Sequence, residues 1–236
     1  HTRSFHVTGV QTCALPISVF QLRPLALAVL LALPSANAQI VADPGAPRTI
    51  AVPAFASDDP LKQYVADALA EDVAIELGRN GAFTTIARNS SFRYRGQTLD
   101  PGRIGRELGA RYVLQGSVRN EQARVVVGLS LFDAESPQPD QAVWSGLVQR
   151  AQNEIAALPV DIVARIAEAF RMPPVPPPRA LPQADAYDLV LQSRDAAARD
   201  DRTKARELAE RAVRVAPGYA EAWTQLEIGR ATSELQ

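Results

Sequence analysis

The run Arg111-Tyr112-Val113-Leu114-Gln115-Gly116-Ser117-Val118-Arg119 is followed by Asn120-Glu121-Gln122 and then by Ala123-Arg124-Val125-Val126-Val127-Gly128-Leu129-Ser130-Leu131-Phe132-Asp133. Two stretches rich in β-branched residues, joined by a short polar turn, predict a β-hairpin. A third strand, Ala142 to Gln149, extends the pattern on the downstream side.

Working outward, Thr49 to Phe55 reads as a short buried strand and Phe83 to Ala87 as a second. Between them, Asp58-Asp59-Pro60 is a helix start with a cap candidate and Pro in the first turn. Leu61, Tyr64, Val65, Leu69, Val73 and Leu77 then recur at three- and four-residue steps, an amphipathic helix that Gly78, Asn80 and Gly81 end. Asp100-Pro101 opens a short helix through Ile104 and Leu108 that Gly109 closes. Ile155 to Phe170 is the last helix of this region, with Pro159 early enough to delay its start. The order β-α-β-α-β-β-β-α predicts a mixed-sheet α/β domain over about residues 46–171.

Arg171 to Pro182 holds six Pro in twelve residues, which predicts a semi-rigid linker over 172–182. Beyond it an all-α helix pair is expected, Ala184 to Ala198 and Thr203 to Val215, with a turn at Asp200-Asp201. Ala205, Ala209 and Ala212 are small where paired helices must approach closely, and Pro217 follows the second helix. A 34-residue period maps Leu189 onto Trp223 and Ala186 onto Ala220. Residues 183–226 are therefore expected to be a tetratricopeptide repeat and the beginning of the next, with further repeats to follow, because one repeat cannot bury its own apolar stripe.

Tyr64 to Asp72, Ile86 to Phe92 and Arg111 to Arg119 together resemble the TolB N-terminal-like domain. The resemblance covers about 125 residues in the family's motif order. It departs at Val52-Pro53-Ala54-Phe55, where relatives carry a Leu-Pro-Phe run, which affects where that strand ends. In bacteria this domain often lies between a membrane segment and tetratricopeptide repeats, behind an adenylate cyclase or a winged-helix regulator. The resemblance implies no catalytic residue.

The ends read differently. Leu22 to Gln39 has a basic residue, an apolar core of about ten residues, and the small tripeptide Ala36-Asn37-Ala38. Residues 19–38 are expected to be a signal peptide cleaved after Ala38, with a periplasmic product; the competing reading is an uncleaved inner-membrane anchor. Residues 1–18 have no apolar periodicity and resemble translated sequencing adapter. Antisense codons for Ala14-Leu15-Pro16-Ile17 can spell Ile228-Gly229-Arg230-Ala231, so 227–236 is expected to be adapter-like as well. With no Met before Met172, the chain is expected to be a piece of a longer protein.

Composition narrows the chemistry. The 236 residues carry 25 Lys and Arg against 26 Asp and Glu, a balance that excludes nucleic-acid binding driven by bulk charge. Both His residues (His1, His6) and the lone Cys13 fall in the adapter-like segment. Val19 to Leu226 therefore lacks the donors for thiolate or imidazole zinc sites and for Cys or Ser-His nucleophiles. The expectation is no enzyme, no cofactor and no metal.

Eight Arg between Arg88 and Arg124 face only Asp100, Glu107 and Glu121. They could line a cleft for a phosphate- or carboxylate-bearing ligand, with Arg88, Asn89, Ser90, Ser91 and Arg93 as an anion loop at a strand end. The simpler reading pairs them with the acidic helix, which carries Asp58, Asp59, Asp67, Glu71, Asp72 and Glu76. Those acids in turn could serve acid/base work or a divalent cation, or form a solvated helix face; no Gly-centred calcium loop accompanies them. Gly102, Gly105 and Gly109 lack the Lys-Ser/Thr of a phosphate loop, so close packing explains them better. Trp144 and Trp223 read as core residues.

The function expected is an exported, non-enzymatic interaction protein that binds a protein or peptide through a repeat groove. Leu189, Ala205, Ala209, Ala212, Pro217 and Trp223 would shape the repeats. No nucleic-acid partner is expected, and a membrane only if the leader stays uncleaved. The alternative is the extracytoplasmic sensory or scaffold half of a membrane-anchored cyclase or winged-helix regulator.

Overall fold

A strand that must pair on both sides yet contains Pro53 cannot run unbroken, because proline has no N–H to give the ladder. The segment expected as one strand is accordingly two: β1 (Thr49–Ala51) and β2 (Ala56–Ser57), separated at Val52–Phe55. Both lie parallel to β4 (Tyr112–Glu121), with Ile50 opposite Tyr112 and Ala56 opposite Ser117. This computed structural model describes residues 48–81, 83–97, 100–172 and 181–233, all within one compact unit. Residues 1–18 and 234–236, expected as adapter-like, residues 19–38, expected as a leader, and residues 173–180 of the expected linker lie outside the described residues.

A 3₁₀ turn at Pro60–Lys62 is capped by Asp59, whose carboxylate accepts from the Leu61 N–H. It leads into α1 (Gln63–Arg79). After β3 (Thr84–Thr85) and the short α2 (Arg88–Phe92) comes α3 (Pro101–Leu108). Asp100 caps α3, and Gly109 ends it in the left-handed region at φ 63°, where a side chain would be strained. Next, β4, β5 (Arg124–Asp133) and β6 (Ala142–Ala151) form an antiparallel meander. The expected hairpin turn falls one residue later, at Gln122-Ala123, with Glu121 opposite Arg124. The strand order is β3-β1-β4-β5-β6, parallel on one side of β4 and antiparallel on the other, a mixed sheet. The helix expected from Ile155 is split: a 3₁₀ segment (Gln152–Ala157) precedes α4 (Leu158–Ala169), with Pro159 in the first turn.

Strand alternation sends Tyr112, Leu114, Val127, Leu129 and Leu131 to one face, where they join Val65, Leu69, Val73 and Leu77 of α1 and Leu158, Ile162 and Ile166 of α4. Each such buried side chain contributes about 1.5–3 kcal/mol. Phe83, Tyr112 and Phe170 close this core edge-to-face, with centroids 5.1 to 6.3 Å apart. On the opposite face Val113 and Phe132 meet Tyr94 and Ile104, so α3 covers one end only. That approach needs Gly105, where an added Cβ would stand 2.5 Å from Ala134 Cβ and 2.8 Å from the Ala110 carbonyl.

Three helices follow: α5 (Ala184–Ala198), α6 (Arg202–Val215) and α7 (Ala220–Ser233). Asp200 takes φ 62° in the turn, and Asp201 caps α6 by accepting from the Lys204 N–H. Leu189, Val190, Ala205, Leu208, Ala212 and Ala222 are buried together. Tyr187 and Leu191, from the same α5, point the other way and belong to the core of the α/β layer. Trp223, expected as core, is instead 44 % exposed. Its indole N–H donates to the Pro217 carbonyl at 2.9 Å.

Candidate functional site

Charged residues brought together from distant parts of the chain lie where α1, α2 and α5 meet. A cavity of about 130 Å³ is lined there by Gln63, Tyr64, Asp67, Glu71, Arg88, Arg95, Arg194, Asp195 and Arg199, among others. Helical spacing on α1 places Asp67 and Glu71 on one side, since positions four apart share a face. Arg95 reaches Asp67 at 2.6 Å and Arg88 reaches Glu71 at 3.1 Å. Both guanidinium groups also lie over the Phe92 ring, Arg88 at 4.5 Å and Arg95 at 5.7 Å from its centroid. Intradomain pairing between the Arg-rich segment and the acidic helix is thus realised at two places.

Asp67 is only 7 % exposed. Burial raises its carboxyl above the ordinary carboxylate value, despite the Gln63 hydrogen bond at 3.0 Å and the nearby charges of Arg95 and Arg88. Gln63 at the same time donates to the Phe55 carbonyl at 2.8 Å, tying the helix start to the strand break.

The five residues expected as an anion loop do not converge. Arg88 to Phe92 is a short helix rather than a loop. Arg88 lines the cleft; Asn89 and Ser90 are exposed; Ser91 is buried. Arg93 turns away, donating to the Tyr94 hydroxyl at 2.6 Å beside Glu107. Of the same Arg-rich segment, it is Arg95 that joins Arg88.

A second cluster adjoins the first. Arg194 of α5 donates to Asp72 at 2.7 Å and to Glu221 of α7 at 2.9 Å. Tyr187 donates to the other Asp72 oxygen at 2.8 Å, and Tyr64 donates to Asp188 at 2.8 Å. Burial works against the Arg194 charge, but Asp72 and Glu221 outweigh it and raise its pKa. Burial raises the Tyr187 and Tyr64 hydroxyls, with Asp72 and Asp188 adding to the effect. Both phenols stay protonated and serve as donors. This cluster was invisible in the sequence: Asp72 and Arg194 are 122 positions apart, with no local motif at either.

Of the residues assigned to repeat packing, Leu189, Ala205, Ala209 and Ala212 are buried, while Pro217 and Trp223 lie at the surface. Ser193 is buried and donates to the Ala205 carbonyl at 2.7 Å. A further cavity of about 260 Å³ is lined by Ser193, Ala197, Ala205 and Gln225, among others. Among the described residues, no group of three or more His, Cys, Asp or Glu is placed to hold a metal ion. No described helix is long and apolar enough to cross a membrane.

No protein-family profile matches the chain. Over 181 residues it is 32% identical to a Rhizobium meliloti (strain 1021) protein named "Putative adenylate cyclase 3". The match takes in 73% of this chain and 30% of that protein, so the chain spans under a third of the relative's length. Solved structures to which it is similar include a PelC dodecamer from Paraburkholderia phytofirmans, with TM-score 0.39 and 20% identity over 55% of this chain and 93% of that one. TolB from Acinetobacter baumannii gives TM-score 0.38 and 19% identity over 53% and 28% of the two chains. The C-terminal domain of LpoB from Salmonella enterica gives 0.36 and 18% over 47% and 87%. TM-scores this low carry no functional weight.

Proposed function

We propose that this chain is a non-enzymatic, exported interaction protein in which an α/β layer of TolB N-terminal-like kind holds the first helices of a tetratricopeptide array. The observation that carries this reading is α5, α6 and α7, consecutive helices packed together through Leu189, Ala205, Leu208, Ala212 and Ala222. Small residues at these positions let helices approach closely, and stacked pairs build a concave surface that takes a protein or peptide. The absence of His and Cys from Val19 to Leu226 supports binding over nucleophilic or thiolate-metal chemistry.

A second reading has one specific observation in its favour. The relative named as a cyclase is more than three times as long as the matched part, so this chain would correspond to an extracytoplasmic sensory or scaffold portion of such a protein. A fusion of residues 19–45 to alkaline phosphatase tests the export arm. A secreted, active enzyme shortened at Ala38 is the expected outcome. Reading the gene upstream of Val19 separates the two: a start codon within a few positions fits export, and a long frame encoding a cyclase or winged helix overturns it.

A further inference from the structure

Among the described residues β6 ends the sheet, and its outer edge is unusually bare. From Ala142 to Gln149 it carries no charge and no proline, the two features that ordinarily blunt a sheet edge. Ser145, Leu147 and Gln149 are exposed on the face that α1 and α4 do not cover, with Leu147 56 % exposed.

The ladder phase says which backbone groups are free. The Gln152 N–H donates to the Ala123 carbonyl at 2.9 Å, one step past the Arg124–Ala151 pair that ends the β5–β6 register. Bonded pairs alternate with unbonded ones along an antiparallel ladder. Val125–Arg150, Val127–Val148 and Leu129–Gly146 are therefore bonded pairs, whereas Val126–Gln149, Gly128–Leu147 and Ser130–Ser145 are not. The N–H and C=O groups of Ser145, Leu147 and Gln149 point outward, a set of donors and acceptors in the phase a new strand requires.

We propose that this edge pairs with β6 of a second copy of the chain, antiparallel, about a two-fold axis through Leu147. The register follows from the side chains. Leu147 lies against the partner copy's equivalent on the open face, and Ser145 stands opposite Gln149. On the helix-covered face Gly146 meets Val148, and Trp144 meets Arg150. No like charges oppose one another, and the only charge in the strand falls on an aromatic face, a favourable cation–π pairing. Arg150 is already held over that face by Asp161 of α4, at 2.6 and 3.0 Å. The Trp144 ring lies flat along its own strand because residue 146 is glycine; a Cβ there would stand 2.5 Å from the ring. That flattened ring is the surface which the second copy's Arg150 would cover, Val148 being buried in its own core. A second copy fits better than an unrelated strand because the sequence is self-complementary about one residue.

The test is sedimentation equilibrium of the full chain from about 1 to 100 µM, a range suited to a small interface. The apparent mass should rise from 25.5 kDa toward double. Leu147→Lys, which sets like charges face to face, should weaken association at least tenfold with an unchanged melting temperature. Leu61→Lys, at a residue 87 % exposed on another element, should leave association unchanged. In a Cys13→Ser background, Leu147→Cys should oxidise to a covalent dimer, since directly opposed residues lie about 5.5 Å apart between Cα atoms. Ile75→Cys should not. A monomer throughout the range overturns the proposal, as does association insensitive to Leu147→Lys, or a monomer that instead captures an added β6 peptide only in a register that excludes Leu147→Cys cross-linking.

Discussion

Arg194 and Asp72 stand 122 residues apart in the chain and 2.7 Å apart in space, joining the second layer of helices to the first helix of the sheet layer. Both side chains are about 15 % exposed, so the pair is largely desolvated. Removing Arg194 leaves Asp72 with the Tyr187 hydrogen bond but no opposite charge, and leaves Glu221 without its guanidinium.

Arg194→Ala should therefore destabilise the protein by about 3 kcal/mol. For a chain of this size that is a fall of roughly 6–12 °C in melting temperature. Tyr64→Phe, which deletes only the hydrogen bond to Asp188, should cost about 1 kcal/mol. Differential scanning calorimetry orders the two; equal losses would show that Arg194 is not the stronger tie.

Glu221 gives a pH dependence of known sign. Burial pushes its carboxyl up, but the hydrogen bond and charge of Arg194 outweigh burial and hold it below the ordinary carboxylate value. The stabilisation is present above that ordinary value and is lost as pH falls through the lowered one. In a Trp144→Phe background, Trp223 fluorescence should hold steady down to the ordinary Glu range and change only below it. Glu221→Gln should abolish that low-pH change; a transition that survives the substitution would assign it elsewhere.

Asp67 has the opposite sign. Its raised pKa means the folded state holds the proton more tightly, so its contribution is fullest below the ordinary carboxylate range and fades as pH rises. Asp67→Asn cannot ionise. Its melting temperature relative to the parent protein should improve between pH 4 and pH 7; a constant or falling difference would refute this assignment.

Gly105→Ala should cost about 1–3 kcal/mol, because the backbone carbonyl of Ala110 and the Cβ of Ala134 cannot both retreat. Chemical denaturation would measure it. A neutral result would mean that α3 can ride away from β4 and β5 freely.

Some of this arrangement was legible in the sequence, for local reasons. The hairpin about Gln122, the cap at Gly109 and the extent of α5 each depend on residues within a few positions. The break at Val52–Phe55 was harder, since it depends on β1 and β2 both pairing with β4, more than fifty residues away. The five-residue α2 is too short to show a helical period, so Arg88 to Ser91 read as a loop and Arg93 as part of it. Trp223 read as core because aromatic bulk usually is; its exposure follows from which neighbours surround α7. The clustering of Arg88, Arg95, Arg194 and Arg199 at one cleft is a product of topology, with no trace in any single segment.

Tyr187 and Leu191 insert from α5 into the core beneath the sheet, while Leu189 and Val190 of the same helix face α6 and α7. A helix committed on both sides cannot loosen toward one neighbour without withdrawing from the other. Heating should accordingly produce one cooperative transition in which sheet and helical layers melt together, and a chain cut at Arg171 would carry an apolar scar beside α1 where α5 had been.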